Sequence, residues 1–413
     1  MSVTIESSRH QRLSPPRWAG VWCLSFGIFV IVTSEILPVG LLNPIVADYA
    51  VSSGVGGLLL TLPGLTALVS APLATVATRR LDRRRMLVVF LLILALANLL
   101  CLAAPAFWLV LVGRALVGLV IGGYWSIGAG LSPRLVPPGA VTAATAIFFA
   151  AVPVGSVLGV PLGTQLGQAF GWRLPFAVLC GLSVAGAIAL RCTLPRLPAL
   201  QVTSAAVLLG LLRKPGTGVR TGLVVTALVV VAHFAAYTYL APFLRDTTGV
   251  DDGTVGGFLL VYGVAGVAGT LATSRTLARS LRGTLAASAG LIAVGTVLLP
   301  VLGRWPAGAL VLLIVWGLAY GTVPACSQTW FARSAPHAPE AASVLFTASF
   351  QATLAMGALV GGRVVDASST ATVMVCAGLL AMVTVLVVGA IRSPGSTATS
   401  VLDDDRPAGS LRT

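Results

Sequence analysis

The sequence predicts an all-α membrane protein with twelve transmembrane helices in two six-helix bundles, and three observations carry that expectation. The chain of 413 residues is 57% hydrophobic and 9% charged, more apolar surface than a soluble fold of this length can bury. Its apolar runs recur at the length of roughly 20 residues that a helix needs to cross a bilayer core. A polar, proline-containing segment near the midpoint divides those runs into six and six.

The first run, 18–42, follows a polar and basic segment, residues 1–17. That segment has no small-residue cleavage site behind an apolar core of signal-peptide length, so the run is read as a retained span. Runs at 54–77, 86–104, 107–131, 140–166 and 172–194 complete an N-terminal bundle over residues 18–194. Residues 195–220 form a linker, carrying Pro195, Pro198, Pro215, Gly216 and Gly218 beside the basic pair Arg213 and Lys214. The second bundle, residues 221–392, contains runs at 221–244, 254–277, 283–302, 306–331, 341–365 and 370–391. The tail, residues 393–413, is polar and rich in Ser, Gly and Pro, a composition that predicts disorder. Its run Asp403, Asp404 and Asp405 reads as solvated rather than metal-binding.

The net charge of +14 could suggest nucleic acid, but the placement of the charges argues against it. Arg79, Arg80, Arg83, Arg84 and Arg85 follow the second run, Arg196, Arg213, Lys214 and Arg220 lie in the linker, and Arg275, Arg279 and Arg282 follow the eighth run. With Arg9, Arg12 and Arg17 they all fall on one side of the membrane. The opposite loops hold Arg173, Arg245, Arg304 and Arg363 among Asp48, Asp246, Asp251, Asp252 and Asp366. The positive-inside rule therefore predicts a multi-pass protein of the cell membrane with both termini in the cytoplasm. Anionic lipid, not nucleic acid, is the expected partner of the basic side. Six cysteines are scattered through the apolar runs without a CxxC pair and read as packing residues. No cofactor or metal is expected, and the chain is taken as a monomer.

Within the spans, Glu35 stands out as a carboxylate inside an apolar run. Such a group must be protonated, paired or facing water, and membrane proteins that keep one usually move protons or solutes past it. Glu35 lies about 25 Å along the first helix from Trp18, and Arg114 about 10 Å into the fourth from its opposite end, so both sit at comparable depth in a core about 30 Å thick. His233, about 18 Å into the seventh helix, falls at a compatible height. An acid, a base and a histidine able to relay a proton or bind a hydroxyl make a candidate proton-coupling set. The alternative for each is structural: a hydrogen bond to a neighbouring helix. Tyr124, Trp125, Tyr237, Tyr239, Trp316, Tyr320, Gln328 and Gln351 are candidates for a cavity, since aromatic faces with a few amides suit amphiphilic drugs or sugars. Trp330 reads instead as an interfacial-belt residue.

The fifth span carries Gly155, Gly159, Gly163, Gly167 and Gly171 at a period of four, with Pro153 and Pro161 among them. That period keeps small residues on one face and lets another backbone approach closely. The eighth span, with Gly256, Gly257, Gly263, Gly266 and Gly269, is the expected partner, either as a moving contact between bundles or as a static one.

Several stretches resemble a known family. TSEILPVGLLNPIVADYAVS in the first span, RALVGLVIG followed by YWSIGAGL in the fourth, GVPLGTQLGQAFGWRLPF in the fifth and VVAHFAAYTYLAPFL in the seventh resemble twelve-helix drug:proton antiporters of the major facilitator superfamily, in particular the sugar efflux transporter branch. The resemblance covers nearly all of the membrane portion. It implies the major facilitator fold, with alternating access between the bundles. It also implies that Glu35 and His233 match the family's acid and histidine, that Arg114, Gly118 and Gly122 match a helix motif associated with proton coupling, and that Gly155, Gly159, Pro161 and Gly163 match an exporter motif. The loop TVATRRLDRRR departs from the family pattern: Thr75, Arg79 and Asp82 replace its Gly, Asp and Gly, and only Arg83 and Arg84 remain.

The expected function is thus a proton-coupled antiporter exporting small sugars or amphiphilic drugs, with small solute, protons and membrane lipid as partners. Uptake by symport or facilitated import on the same fold is the alternative. No phosphate-binding loop, metal cluster or repeated filter sequence points to an enzyme or channel.

Overall fold

The computed structural model describes residues 17–51, 53–77, 81–128, 130–198, 205–213 and 218–391; the N-terminal segment to residue 16, the loop arginines Arg79 and Arg80, Lys214 and the tail from residue 392 lie outside the described residues. The helices are α1 (Trp18–Ile36), α2 (Pro38–Asp48), α3 (Ser53–Gly56), α4 (Leu58–Ala77), α5 (Arg83–Ala103), α6 (Phe107–Gly128), α7 (Ser132–Leu135), α8 (Val141–Phe170) and α9 (Leu174–Thr193). They continue with α10 (Ala205–Arg213), α11 (Gly218–Tyr237), α12 (Leu240–Phe243), α13 (Asp252–Arg279), α14 (Leu281–Leu302), α15 (Pro306–Ser334), α16 (Pro339–Ala367) and α17 (Thr370–Ala390). Among the described residues, 11 helical stretches are long and apolar enough to cross a membrane, and Leu58–Ala74 supplies a shorter apolar helix.

Two of the expected spans are interrupted, the first of them at a proline. The first runs straight through to Ile36, pauses at Leu37 and resumes at Pro38, because a proline has no N–H to continue the ladder. The second is split into α3 and α4, and α4 contains Pro63 and Pro72. The linker holds a short helix, α10, that its prolines and glycines did not suggest, and α11 starts at Gly218, inside the expected linker.

In the N-terminal bundle α1 lies against α8 and α9, α4 against α6, and α5 against α6 and α9. In the C-terminal bundle α13 packs on α15, α14 on α15 and α17, and α11 on α16 and α17. The bundles meet along α8 with α13 and along α4 and α6 with α16. Large apolar side chains such as Leu73, Trp108, Ile188, Leu359 and Leu386 are exposed, as befits helices that turn one face to lipid.

At the arginine-rich end, where α5, α8 and α16 begin, the bundles are closed on each other. The fully buried Arg83 grips Glu340, with Nε to Oε1 at 2.9 Å and Nη2 bonded to Oε2. Phe149 of α8 meets Phe346 of α16 edge-on, ring centres 6.1 Å apart. A Cβ on Gly130, beyond α6, would touch the Ser343 hydroxyl of α16 at 3.0 Å. Asp82, which replaces a motif glycine, caps α5 by accepting from the Arg85 amide and also holds the Leu197 amide at 2.7 Å. Arg84 donates to the Leu194 carbonyl at the end of α9. The departed loop motif therefore still makes an inter-bundle latch, with an arginine-carboxylate pair as its grip.

Candidate functional site

Arg114 and Glu35 come together, but through the backbone. Pro38 leaves the Ser34 carbonyl without its helix donor, and Pro63 does the same to Leu59, since each accepts from four residues on. Arg114, fully buried on α6, donates Nη1 to Ser34 O at 2.6 Å, Nε to Leu59 O at 2.8 Å and Nη2 to Glu35 O at 2.5 Å. One planar guanidinium thereby satisfies the carbonyls freed at the α1–α2 break and inside α4, a task its fork of donors suits. Gly118 and Gly122 continue the same face of α6 at a four-residue period, and a Cβ on either would collide with the backbone of α4. Ser70 closes that contact by donating to the Gly118 carbonyl at 3.2 Å. The helix motif is a packing face that sets α4, and with it the break of α1, against Arg114.

The Glu35 carboxylate makes no hydrogen bond or ion pair among the described residues; the ion pairs there are Arg83 with Glu340 and Arg173 with Asp48. Glu35 is half-buried. Just before it, Ser34 Oγ donates to Asn98 Oδ1 at 2.9 Å, and Asn98 is anchored on the Leu94 carbonyl. The acid is therefore held by a fixed backbone while its head group stays free.

His233 is not part of that arrangement. It sits in the C-terminal bundle inside an aromatic cluster, stacked on Tyr320 with ring centres 3.3 Å apart and on Tyr237 at 5.3 Å. Trp316 Nε1 donates to its Nδ1 at 3.1 Å. An indole nitrogen can only donate, so Nδ1 must be the acceptor and the imidazole is neutral with its hydrogen on Nε2. The acid-base-histidine set expected from depth is thus two sites, one in each bundle. Tyr262 completes the cluster, 5.1 Å from Tyr237 and 5.5 Å from Trp316, with a buried hydroxyl that has no partner among the described residues. Sequence reasoning missed Tyr262, although a tyrosine inside the eighth apolar run is the same signal that marked Tyr237.

The other cavity candidates divide. Tyr237 and Tyr320 are half-buried within the cluster, whereas Trp316 is fully buried and serves His233. Tyr124 is fully buried and donates to the Leu24 carbonyl at 3.1 Å, which pins α6 to α1. Tyr239 donates to the Ala358 carbonyl at 3.2 Å and ties α11's end to α16. Trp125, Gln328 and Gln351 are buried near the closed seam or on α16. Trp330 is not a belt residue: it is buried, and its indole donates to the Gly218 carbonyl at 2.9 Å.

The glycines of α8 also find a different partner from the one expected. A Cβ on Gly155 would meet Phe29 O at 3.1 Å, one on Gly159 would meet Thr33 Cγ2 at 2.7 Å, and those on Gly163 and Gly167 would run into Leu37 and Leu41. The stripe packs on α1 and the start of α2 within its own bundle, while Pro161 lies on the exposed face. Helix α13 is reached from another side of α8, through Pro153 and Val157 beneath Gly266 and Gly263.

Comparison with known proteins fits this architecture. The Major Facilitator Superfamily model matches residues 24–352. The purine ribonucleoside efflux pumps NepI of Salmonella enteritidis PT4 and Salmonella typhimurium LT2 are each 33% identical over 385 residues, which is 93% of this chain and 96% of theirs. The human organic anion transporter MFSD10 (TETRAN) superposes with a TM-score of 0.77 at 16% identity, covering 91% of this chain and 100% of that one. The chain belongs to the Major Facilitator Superfamily and is a multi-pass membrane transporter, not an enzyme.

Proposed function

We propose, from that membership, that the chain is a proton-coupled exporter of nucleoside-like solutes working by alternating access, with protons entering the cell as cargo leaves. The observation that carries the coupling is the Glu35 carboxylate, half-buried and unpartnered at the break between α1 and α2. A carboxylate so placed is costly when charged in a closed, dry state and tolerated when a water-filled path reaches it. Loading it with a proton on one side and releasing it on the other couples its charge to which side is open. Arg114 is then a positioning residue, since its donors are committed to carbonyls.

The cargo class draws on the relatives, which are named as purine ribonucleoside pumps. A nucleoside joins a sugar to a flat heterocycle, so it satisfies both halves of the sequence expectation of sugar or aromatic drug. The half-buried faces of Tyr237 and Tyr320 suit stacking against a base, and the Tyr262 hydroxyl, buried without a partner among the described residues, can bond it once the cluster opens. The arginine-rich end, with its Arg83–Glu340 latch, is assigned to the cytoplasm by the positive-inside rule, which puts both termini there in the cell membrane.

The test is export from cells loaded with radiolabelled inosine or adenosine. Wild type should deplete the label faster in acidic than in alkaline medium, and Glu35→Gln should lose that dependence on external pH. A Glu35→Gln variant exporting at the wild-type rate with an unchanged pH response would refute the coupling role.

A further inference from the structure

We infer that the closed seam at the arginine-rich end conceals a second polar subsite, which receives the base and hydroxyls of a nucleoside as it enters from the cytoplasm. The inference rests on the exporter reading above and names a site that reading does not use. Four buried side chains at the seam, or in the case of Ser327 next to Gln328 on α15, have polar atoms with no partner among the described residues: Trp125 Nε1, Ser327 Oγ, Gln328 Oε1 and Thr347 Oγ1. Their residues are 8%, 1%, 4% and 2% exposed. Unpaired buried donors and acceptors cost about 1–3 kcal/mol each, and native proteins keep few of them. Four together call for a partner.

Their placement on the elements shows what that partner would meet. On α16, Ser343, Thr347 and Gln351 recur every four residues and so share one helix face, with successive side chains about 6 Å apart along the axis. Ser343 faces Gly130 of the other bundle and accepts from Gln328 Nε2 at 2.6 Å, which places Gln328 of α15 beside the same stripe. Trp125 joins from α6 through Phe149, 5.8 Å away, and Phe149 in turn meets Phe346, the neighbour of Thr347. The patch therefore offers an N–H donor, two hydroxyls and an amide oxygen among the flat faces of Trp125, Phe149 and Phe346. A ring with an acceptor-donor edge and a sugar bearing hydroxyls matches that set, whereas a plain hydrocarbon or a simple cation does not.

The patch also leads somewhere. Gln328 and Tyr320 lie eight residues apart on α15, so they share a face and are separated by about 12 Å along the helix. Opening the Arg83–Glu340 latch would uncover the polar patch first, and the stripe continues from it towards the aromatic cluster around His233. An exporter loads its cargo from this end, so affinity here acts on entry and not on release at the opposite face.

The experiment measures adenosine transport by the full-length protein separately from each face, in everted membrane vesicles and by counterflow from the opposite side. Thr347→Val and Gln328→Leu keep shape while removing the polar atoms, and thermal unfolding in detergent checks that both fold. Each should raise the apparent KM from the cytoplasmic face about tenfold, as loss of one hydrogen bond to cargo does, with the KM from the opposite face within twofold of wild type. Adenosine transport with unchanged KM on both faces, or with equal losses on both, overturns the subsite alone. Failure of the unmodified protein to transport adenosine from either face overturns the nucleoside reading and the subsite with it.

Discussion

At Arg114 the guanidinium meets the two carbonyls that Pro38 and Pro63 leave without helix donors, together with the carbonyl of Glu35. Its charge is neutralised by peptide dipoles, and its geometry, with three donors in one plane, fixes the spacing of α1, α4 and α6. Lysine carries the same charge on a flexible stem and lacks the planar fork. Arg114→Lys should therefore leave at least one carbonyl unsatisfied and cost about 1–3 kcal/mol, seen as a lower thermal midpoint in detergent. Restoring the amides with Pro38→Ala and Pro63→Ala in the same chain should recover part of the loss. If the prolines make no difference, Arg114 acts by charge and this account of it is wrong. Glu35 was legible in the sequence because a carboxylate in an apolar run is conspicuous by itself. The role of Arg114 was harder to read, because it depends on prolines 76 and 51 positions away, by difference of residue number, whose missing amides only matter once the helices are packed.

Among the elements, α5 and α16 hold the two bundles together at one end through Arg83 and Glu340. Glu340→Gln would remove the carboxylate charge that the fully buried Arg83 grips, a change that costs up to about 3–5 kcal/mol in buried pairs. Because the pair bridges the two bundles at this closed end, the cost falls on the closed arrangement. Cysteines placed in the seam should then react faster with a membrane-impermeant thiol reagent applied from the arginine-rich side, and the swap Arg83→Glu with Glu340→Arg should slow them again. Helix α8 carries the complementary prediction. Gly159→Val would push α1 away at Thr33, two residues before Glu35, and should lower both thermal stability and transport. The same substitution at Gly256, where a Cβ meets nothing within 4 Å, should do neither. The glycine stripe was plain in the sequence, but its partner was not. Small residues announce that a close approach occurs, and the choice between α1 and α13 lies in the bundle topology. Likewise the latch could not be read, since its members are separated by 257 positions.

For the molecule as a whole, twelve apolar runs and a central linker were enough to expect two bundles, because a bilayer imposes its thickness on every span. Depth along the helices placed Glu35, Arg114 and His233 at one level but could not say that His233 belongs to the other bundle, with its own tryptophan and tyrosines. That separation suits an exporter in which the proton and the cargo occupy different bundles and compete through the equilibrium between open states rather than through contact. The most direct test is purified protein in proteoliposomes containing a pH-sensitive dye, with inosine or adenosine added to wild type and Glu35→Gln in parallel. The account predicts nucleoside-triggered proton movement in wild type and none in Glu35→Gln, although the variant still exchanges labelled nucleoside for unlabelled. Nucleoside flux without proton movement in wild type, or proton movement that survives Glu35→Gln, would contradict it.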